Sequence, residues 1–329
     1  MGTILVTGGA GYIGSHVARQ LAERGERIVT LDNLSTGFRS AVLHGDFVQG
    51  DTGDAALVAR VLAGHEVDTV MHFAAHIVVP ESVADPLKYY RNNTANTRTL
   101  LECCTAAGVR QFVFSSTAAV YGMPATGSAS EDTPTAPINP YGWSKLMSER
   151  MLADVAAAFP LRYVALRYFN VAGADPGGRI GQSTPEATHL IKVACEHVTG
   201  KRERVEIFGT DYDTPDGTCV RDYIHVEDLA AAHLKALDYL RAGEASTTLN
   251  CGYGRGFSVR EVLDQVAQAA GRPLRIVESP RRAGDPPRLV ASAERIQERL
   301  GWRPRHQDIG GIVRTALAWE QRLLRQPAA

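Results

Sequence analysis

Residues 139–145 read Asn-Pro-Tyr-Gly-Trp-Ser-Lys. Lysine is scarce in this chain, and of its 11 tyrosines only Tyr141 is followed by a lysine at the fourth position, Lys145. Asn139 suits a helix N-cap and Pro140 the first helical position. Tyr141 then falls in the first turn, with Lys145 its neighbour on the same face. A phenol ionises near pH 10, so a tyrosine acting as a base at neutral pH must be lowered to about 7, a difference of roughly 4 kcal/mol. A neighbouring ammonium and the helix N-terminus both favour the phenolate. The pair is therefore a candidate for proton transfer. Read alone, the same residues are more simply a packed tyrosine beside a solvated lysine, so other parts of the chain must decide.

A second group decides in favour of chemistry. After the apolar run Thr3–Thr7 stands GGAGYIG, in which Gly8, Gly11 and Gly14 are spaced G-x-x-G-x-x-G. Glycine permits a tight turn and close backbone approach, and a helix starting near Tyr12 offers free N–H groups to a diphosphate. The next apolar run ends in Asp32, 18 residues after Gly14, where a carboxylate meets ribose hydroxyls and repels a 2′-phosphate. The pattern predicts NAD rather than NADP, and a cationic nicotinamide ring would further favour the Tyr141 phenolate. Asp51 can accept from an adenine amino group, although Gly-Asp is also an ordinary turn. His72 and His76 straddle a strand end, where a four-residue spacing does not put side chains on one face, and no third ligand is evident; no metal is expected. No GxSxG or HExxH points to hydrolysis.

The elements that must hold these groups follow from periodicity. Short apolar runs (3–7, 27–31, 68–73, 111–116 and 162–169) alternate with helical patterns (12–24, 54–63, 86–107 and one from 139). A Pro/Ser/Thr-rich loop spans 122–138. This alternation predicts an α/β chain with a Rossmann-type doubly wound parallel sheet, whose ligands lie at the carboxyl ends of the strands. Beyond 170 the pattern breaks into Gly/Pro clusters, helices near 186–199 and 226–242, and short strands at 205–208, 247–250 and 273–277. The expected division is a NAD-binding domain over 1–170 and a smaller mixed α/β substrate-binding domain over 171–329, with some later segments rejoining the sheet. At 329 residues and 44% hydrophobic content the chain can bury a large core. A formal charge of −1 argues against a nucleic-acid coat protein. Five cysteines without a CxxC pair suit reduced thiols and a cytoplasmic setting. The N-terminus, with no basic region before its short apolar run, reads as neither signal peptide nor membrane span.

With these residues in place, the sequence resembles the extended short-chain dehydrogenase/reductase superfamily and, within it, the UDP-glucose (UDP-galactose) 4-epimerase family. The resemblance covers nearly the whole chain through TGGAGYIGSH, DNLSTG, PESV, YYRNN, FSSTAAVYG, PYGWSK, LRYFNVAGA and, most specific, FGTDYDTPDGTCVRDYIHVEDL. It implies an NAD-dependent isomerase that interconverts UDP-glucose and UDP-galactose in galactose metabolism. C4 of the sugar is oxidised, the 4-keto sugar rotates, and it is reduced on its other face. It also implies roles. Tyr141 is the base and acid, and Lys145 lowers its pKa and holds nicotinamide ribose. Thr117 bonds the reacting hydroxyl. NAD is lined by Tyr12 and Ile13, by Asp32, Asn33, Leu34, Ser35, Thr36 and Gly37, and by Asp51 and Thr52. Phe73, Ala74, Ala75, Asn92 and Phe169 complete that lining. Asn170, His189, Leu190 and Phe208 hold the UDP part, together with Arg221, Arg282 and Asp285. For Arg282, within SPRRAGD, a solvated surface charge is the competing reading.

Three departures from the family stand out. Ile77 replaces a lysine that some relatives place near the NAD phosphates. Leu289 stands where relatives carry a bulky Tyr or a small Cys beside the sugar, which leaves N-acetylated sugars open. His189 stands where Asn is usual. Ala118 and Ala119 follow Thr117, whereas dehydratases of the superfamily carry an Asp-Glu pair there. The alternatives kept are a 4-epimerase of UDP-N-acetylglucosamine, UDP-glucuronate or a UDP-pentose, and a non-catalytic NAD-binding regulatory protein. The family also implies a homodimer built from helices around 86–107 and 141–158.

Overall fold

The computed structural model describes residues 2–282 and 284–325. Its centre is a seven-stranded, all-parallel sheet. Five strands come in sequence order: β1 (Thr3–Thr7), β2 (Arg27–Asp32), β3 (Asp46–Gln49), β4 (Val67–His72) and β5 (Gln111–Thr117). The spatial order is β3-β2-β1-β4-β5, then Arg162–Tyr168, then Thr247–Cys251. The order therefore reverses between β1 and β4, and a crevice opens there at the carboxyl ends.

Helices cover both faces, so every residue of β1 is buried, as expected for a parallel strand with no solvated side. Ile4 and Val6 pack with Val17 and Leu21 of the helix Tyr12–Glu23 and with Leu229 and Leu237 of the helix Val226–Arg241. Leu5 points the other way, toward Val58 and Leu62 of Ala55–Gly64, Leu100 of Asn96–Ala106 and Leu152 of Pro140–Ala158. Burying each such side chain contributes about 1.5–3 kcal/mol.

Beyond 170, Val226–Arg241 and Thr247–Cys251 build on this large sheet. Val220–His225 organises a smaller sheet by pairing with Gly256–Ser258, Arg288–Ala291 and Asn170–Ala172, and Val205–Phe208 pairs with Ile276–Ser279 in a separate two-stranded sheet. Ser128–Ala129, from the long Pro/Ser/Thr-rich loop, crosses to pair with Arg288–Ala291. Helices Leu190–Val198, Val259–Ala270 and Ile309–Arg325 share a separate core around Ile191, Cys195, Val262, Val266 and Val313. All five cysteines carry free thiols. No helix among the described residues is long and apolar enough to cross a membrane.

One expected helix is broken. The stretch 86–107 divides into Pro86–Tyr89, a wide π-turn over Tyr90–Ala95, and Asn96–Ala106. The cause is Asn93, which is buried. Its carbonyl accepts from the Thr97 hydroxyl at 2.6 Å and from Ser148 at 3.1 Å. Its amide donates to the His76 carbonyl at 2.9 Å and to Ser144 at 3.0 Å. Side-chain donors thus replace ladder bonds, and the turn widens.

The helix carrying Tyr141 starts as expected, at Pro140, with the Asn139 side chain accepting from the Gly142 N–H at 2.9 Å. Asn139→Ala should lower stability by about 1 kcal/mol. Urea titration should register this as a lower unfolding midpoint at unchanged slope.

Candidate active site

At the switch point the backbone is crowded. Gly8 has φ +70°, and a Cβ there would stand 2.6 Å from the Ala74 nitrogen. A Cβ on Gly14 would lie 2.3 Å from the Gly8 carbonyl oxygen. No side chain caps Gly11, so the first turn of the helix Tyr12–Glu23 keeps its N–H groups for a ligand. Asp32 is buried, and its two oxygens accept from the N–H groups of Ala10 (3.0 Å) and Leu34 (2.8 Å). Burial raises its pKa and these two bonds oppose the rise. A carboxylate offers about four acceptor positions, so Asp32 retains capacity for a ligand hydroxyl. Crowded glycines, an uncapped helix start and a seated carboxylate together fit a dinucleotide.

Around this turn the other expected residues fall into place. Asn33 donates to Asp51 at 2.8 Å, and Asp51 also accepts from Asn96 and from the Gly53 N–H, both at 2.8 Å. Leu34 adopts φ 59°, and the Ser35 N–H bonds back to the Asn33 side chain at 3.0 Å. Phe38 N–H ties the end of the Ser35–Gly37 loop to the Ala10 carbonyl at 3.0 Å. Thr52 is buried, next to Asp51. Phe73, Ala74 and Ala75 lead out of β4, with the Phe73 ring against His233 at 4.8 Å. Asn92 lies in the π-turn and donates to the Asn93 side chain at 3.0 Å. Phe169 closes the end of Arg162–Tyr168 and packs in the core that Ile13 also borders. Ile77 is 45% exposed. His72, by contrast, is a core residue whose ring nitrogens bond Thr7 (2.6 Å) and Thr97 (2.9 Å).

Tyr141, Lys145 and Thr117 meet at the end of β5. The Thr117 hydroxyl faces the Tyr141 phenol closely enough to favour its anion and accepts from the Ala119 N–H at 3.1 Å. Lys145 is buried, donates to the Ser115 carbonyl at 2.9 Å and lies 5.0 Å over the Phe114 ring. Burial raises the Tyr141 pKa, and the Thr117 hydroxyl opposes it. Burial also pushes Lys145 down to about 7, against the pull of Glu149. In the protein alone the phenol therefore stays protonated, and a further positive charge is needed to draw it down.

The residues expected around UDP form two groups. Asn170, His189 and Leu190 line one cavity with Gln182, Lys192 and Tyr223. Gln182 bonds His189 Nδ1 at 2.9 Å, and burial lowers the His189 pKa. In the second group Arg282 lies 4.7 Å over the Phe208 ring and donates to Asp285 at 2.9 Å, while Arg221 stands 3.7 Å from Asp285. The smaller sheet links the groups, since Asn170 pairs with Tyr223, two residues past Arg221 on the same strand face. Leu289 pairs with Arg221. Sequence reasoning missed Tyr223, Gln182, Lys192 and Glu149. The alternation in VRDYIH could have found Tyr223, and helical spacing from Lys145 could have found Glu149.

A doubly wound sheet, a glycine turn with its acid, and a Tyr-x-x-x-Lys helix define an NAD-dependent enzyme. The chain belongs to the NAD dependent epimerase/dehydratase family, whose profile matches residues 4–252. It is 60% identical over 321 residues to the UDP-glucose 4-epimerase of Azospirillum brasilense, covering 97% of this chain and 92% of that one. Its structure resembles the UDP-glucose 4-epimerase of Brucella ovis solved in complex with NAD, with TM-score 0.94, 46% identity, and 97% and 98% of the two chains covered. It also resembles the UDP-Glc/GlcNAc 4-epimerase of Campylobacter jejuni, with TM-score 0.86, 48% identity, and 98% and 100% covered.

Gly14→Ala would force its methyl onto the Gly8 carbonyl. It should cost about 1–3 kcal/mol and strip the purified protein of retained dinucleotide, read from the absorbance ratio at 260 and 280 nm.

Proposed function

We propose that this protein interconverts UDP-glucose and UDP-galactose. The C4 hydroxyl becomes a ketone, the sugar turns while UDP stays anchored, and C4 is reduced on its opposite face. The observation that carries this reading is the meeting of Thr117, Tyr141 and buried Lys145 at the end of β5, in a chain so close to the Azospirillum brasilense enzyme. NAD, when bound, supplies the oxidation at C4 and reverses it, so it is not consumed. Gly8, Gly11 and Gly14 hold it at the crowded turn, Asp32 takes its ribose, and Asn33 to Gly37, Asp51, Thr52 and Asn92 surround its adenosine end. Phe73, Ala74, Ala75 and Phe169, with Tyr12 and Ile13, bracket the rest.

In this mechanism Tyr141 removes the C4 hydroxyl proton and later returns it, with Thr117 orienting the hydroxyl. Lys145 supplies positive charge beside the phenol and holds ribose hydroxyls. Arg221 and Arg282 neutralise the diphosphate, with Asp285, Phe208, Asn170, His189 and Leu190 fixing the rest of UDP. Gripping UDP while leaving the hexose loosely held lets the ketone turn without escaping. Residues 1–170 thus serve the cofactor and 171–329 the UDP-sugar, with 226–251 lent back to the large sheet. The setting is cytoplasmic.

A wider substrate range has its own support. Leu289, opposite Arg221 in the smaller sheet, is neither bulky nor minimal, and one similar enzyme is a UDP-Glc/GlcNAc 4-epimerase. The purified protein, given UDP-galactose without added NAD, should form UDP-glucose and reach the same mixture from either side; UDP-N-acetylgalactosamine in parallel tests the wider range. No product from any UDP-sugar, even with NAD, would refute the reading and favour a regulatory NAD-binding role. Tyr141→Phe should lower turnover about 100- to 10,000-fold while UDP affinity, measured by calorimetry, stays unchanged.

The working form is a homodimer, through helices within 86–107 and 141–158. Its support is the exposed apolar surface there: Leu87 is 71% exposed, Trp143 42% and Met147 41%. A folded monomer would rarely leave such a patch uncovered. Sedimentation should find a dimer, and Met147→Asp should shift it toward monomer.

A further inference from the structure

Behind the Tyr141–Lys145 pair lies a buried ionic assembly with no part in the scheme above. Glu149 is one helical turn beyond Lys145 and two beyond Tyr141. Its carboxylate accepts from Arg167 Nε at 2.9 Å and Nη2 at 2.6 Å, and from the Ser116 hydroxyl. Arg167 also donates to the Tyr121 oxygen at 3.0 Å, and its guanidinium lies 4.9 Å over that ring. Tyr121 in turn donates to Asn250 at 2.6 Å. Two consecutive residues of β5 thus bond to one helix: Ser115 through Lys145 and Ser116 through Glu149.

Stability does not call for this arrangement. Removing two charges from water is expensive, and apolar residues of similar volume often do as well or better. What the carboxylate offers is its place one helical turn from a buried ammonium, on the same buried face. Near the pair stand Tyr89, edge-on to the Tyr141 ring, His72 from β4, stacked on the Phe114 ring that Lys145 overlies, Tyr168 from the strand beside β5, and Arg167, bonded to Glu149. Burial lowers His72 to about 3, so it is neutral near pH 7. Among these groups Glu149 is the carboxylate.

We propose that Glu149 is a positioning residue for the proton chemistry: its charge keeps Lys145 an ammonium in a site that otherwise strips it, and its bonds to Ser116 and Arg167 set the helix against β5. The proposal rests on the roles given to Tyr141 and Lys145 above. Its sign is fixed. Without the carboxylate the ammonium is less favoured, so Lys145 releases its proton at a lower pH. The Tyr141 phenol then loses its neighbouring positive charge, and turnover fails at lower pH on the alkaline side.

The test is a titration of 13C-labelled lysine in the whole protein by NMR, where few lysines give few signals and Lys145→Arg assigns the one of interest. It is run alongside the pH profile of kcat for UDP-galactose. The variants are Glu149→Gln, which keeps an acceptor for Ser116, and Glu149→Gln with Arg167→Met, which leaves no unpaired guanidinium if the first variant fails to fold. In Glu149→Gln the Lys145 midpoint should fall by about one pH unit, with the alkaline limb of kcat moving the same way; the double variant, which also loses the Arg167 cation, should show a smaller fall. An unchanged midpoint in a folded variant, with turnover reduced equally at every pH, would overturn the proposal. If the unaltered protein turns over no UDP-sugar, the functional reading fails while the Lys145 titration still decides what Glu149 does.

Discussion

The structure depends on keeping one ammonium dry. Lys145 is buried at the end of β5 with a carbonyl, an aromatic face and a carboxylate for company. In such a place a lysine tends to lose its proton, and a neutral lysine cannot help a phenol to ionise. The surroundings therefore have to make the charge tolerable without letting water in. The helix Pro140–Ala158 is shaped by that demand: Ser144, Lys145, Ser148 and Glu149 are buried while Trp143 and Met147 are exposed. In its first half the polar and apolar faces are exchanged, whereas Leu152 turns inward as usual.

That inversion is why the sequence showed the pair but not its setting. Spacing alone led to the N-cap, the proline and the Tyr141–Lys145 pair, since these are local features of a helix start. A face-by-face reading of hydrophobicity would have turned the helix the wrong way, because the residues it buries are satisfied by distant partners. Ser148 reaches the Asn93 carbonyl, 55 positions away, and Glu149 reaches Arg167. The same holds for 86–107, where apolar periodicity supports one helix and the Asn93 bonds impose a π-turn. Tertiary hydrogen bonds override local preference there.

The cofactor half was more legible than the other for a related reason. Its parallel strands are apolar runs read in chain order, Gly8 follows the first run and Asp32 ends the second. Past 170 the chain exchanges segments: Thr247–Cys251 joins the large sheet, and Ser128–Ala129 leaves for the smaller one. Strands of two to six residues carry little periodicity, so only the resemblance reached Arg221, Arg282 and Asp285. The helices Val259–Ala270 and Ile309–Arg325 went unread, although one had a local signal. Ser258 and Glu261 form a capping box that starts Val259–Ala270, a local signal as clear as Asn139-Pro140.

The two halves are joined where the chemistry needs them to move least. The Tyr12 hydroxyl, from the glycine turn, donates to the Gly173 carbonyl at 2.7 Å. Gly173, at φ +90°, lies against the His225 ring, and a Cβ there would stand 2.7 Å from it. His225 caps Val226–Arg241 by accepting from the Glu227 N–H, and Glu227 bonds Gln20 of the first helix at 2.8 Å. The loop after Asn170 is thus tied to the helix that opens at the glycine turn by bonds of fixed direction. A sugar that must turn over can be held loosely only if the two surfaces on either side of it keep a constant separation. The Tyr12–Gly173–His225–Glu227 tie supplies that constancy, leaving the freedom to the substrate.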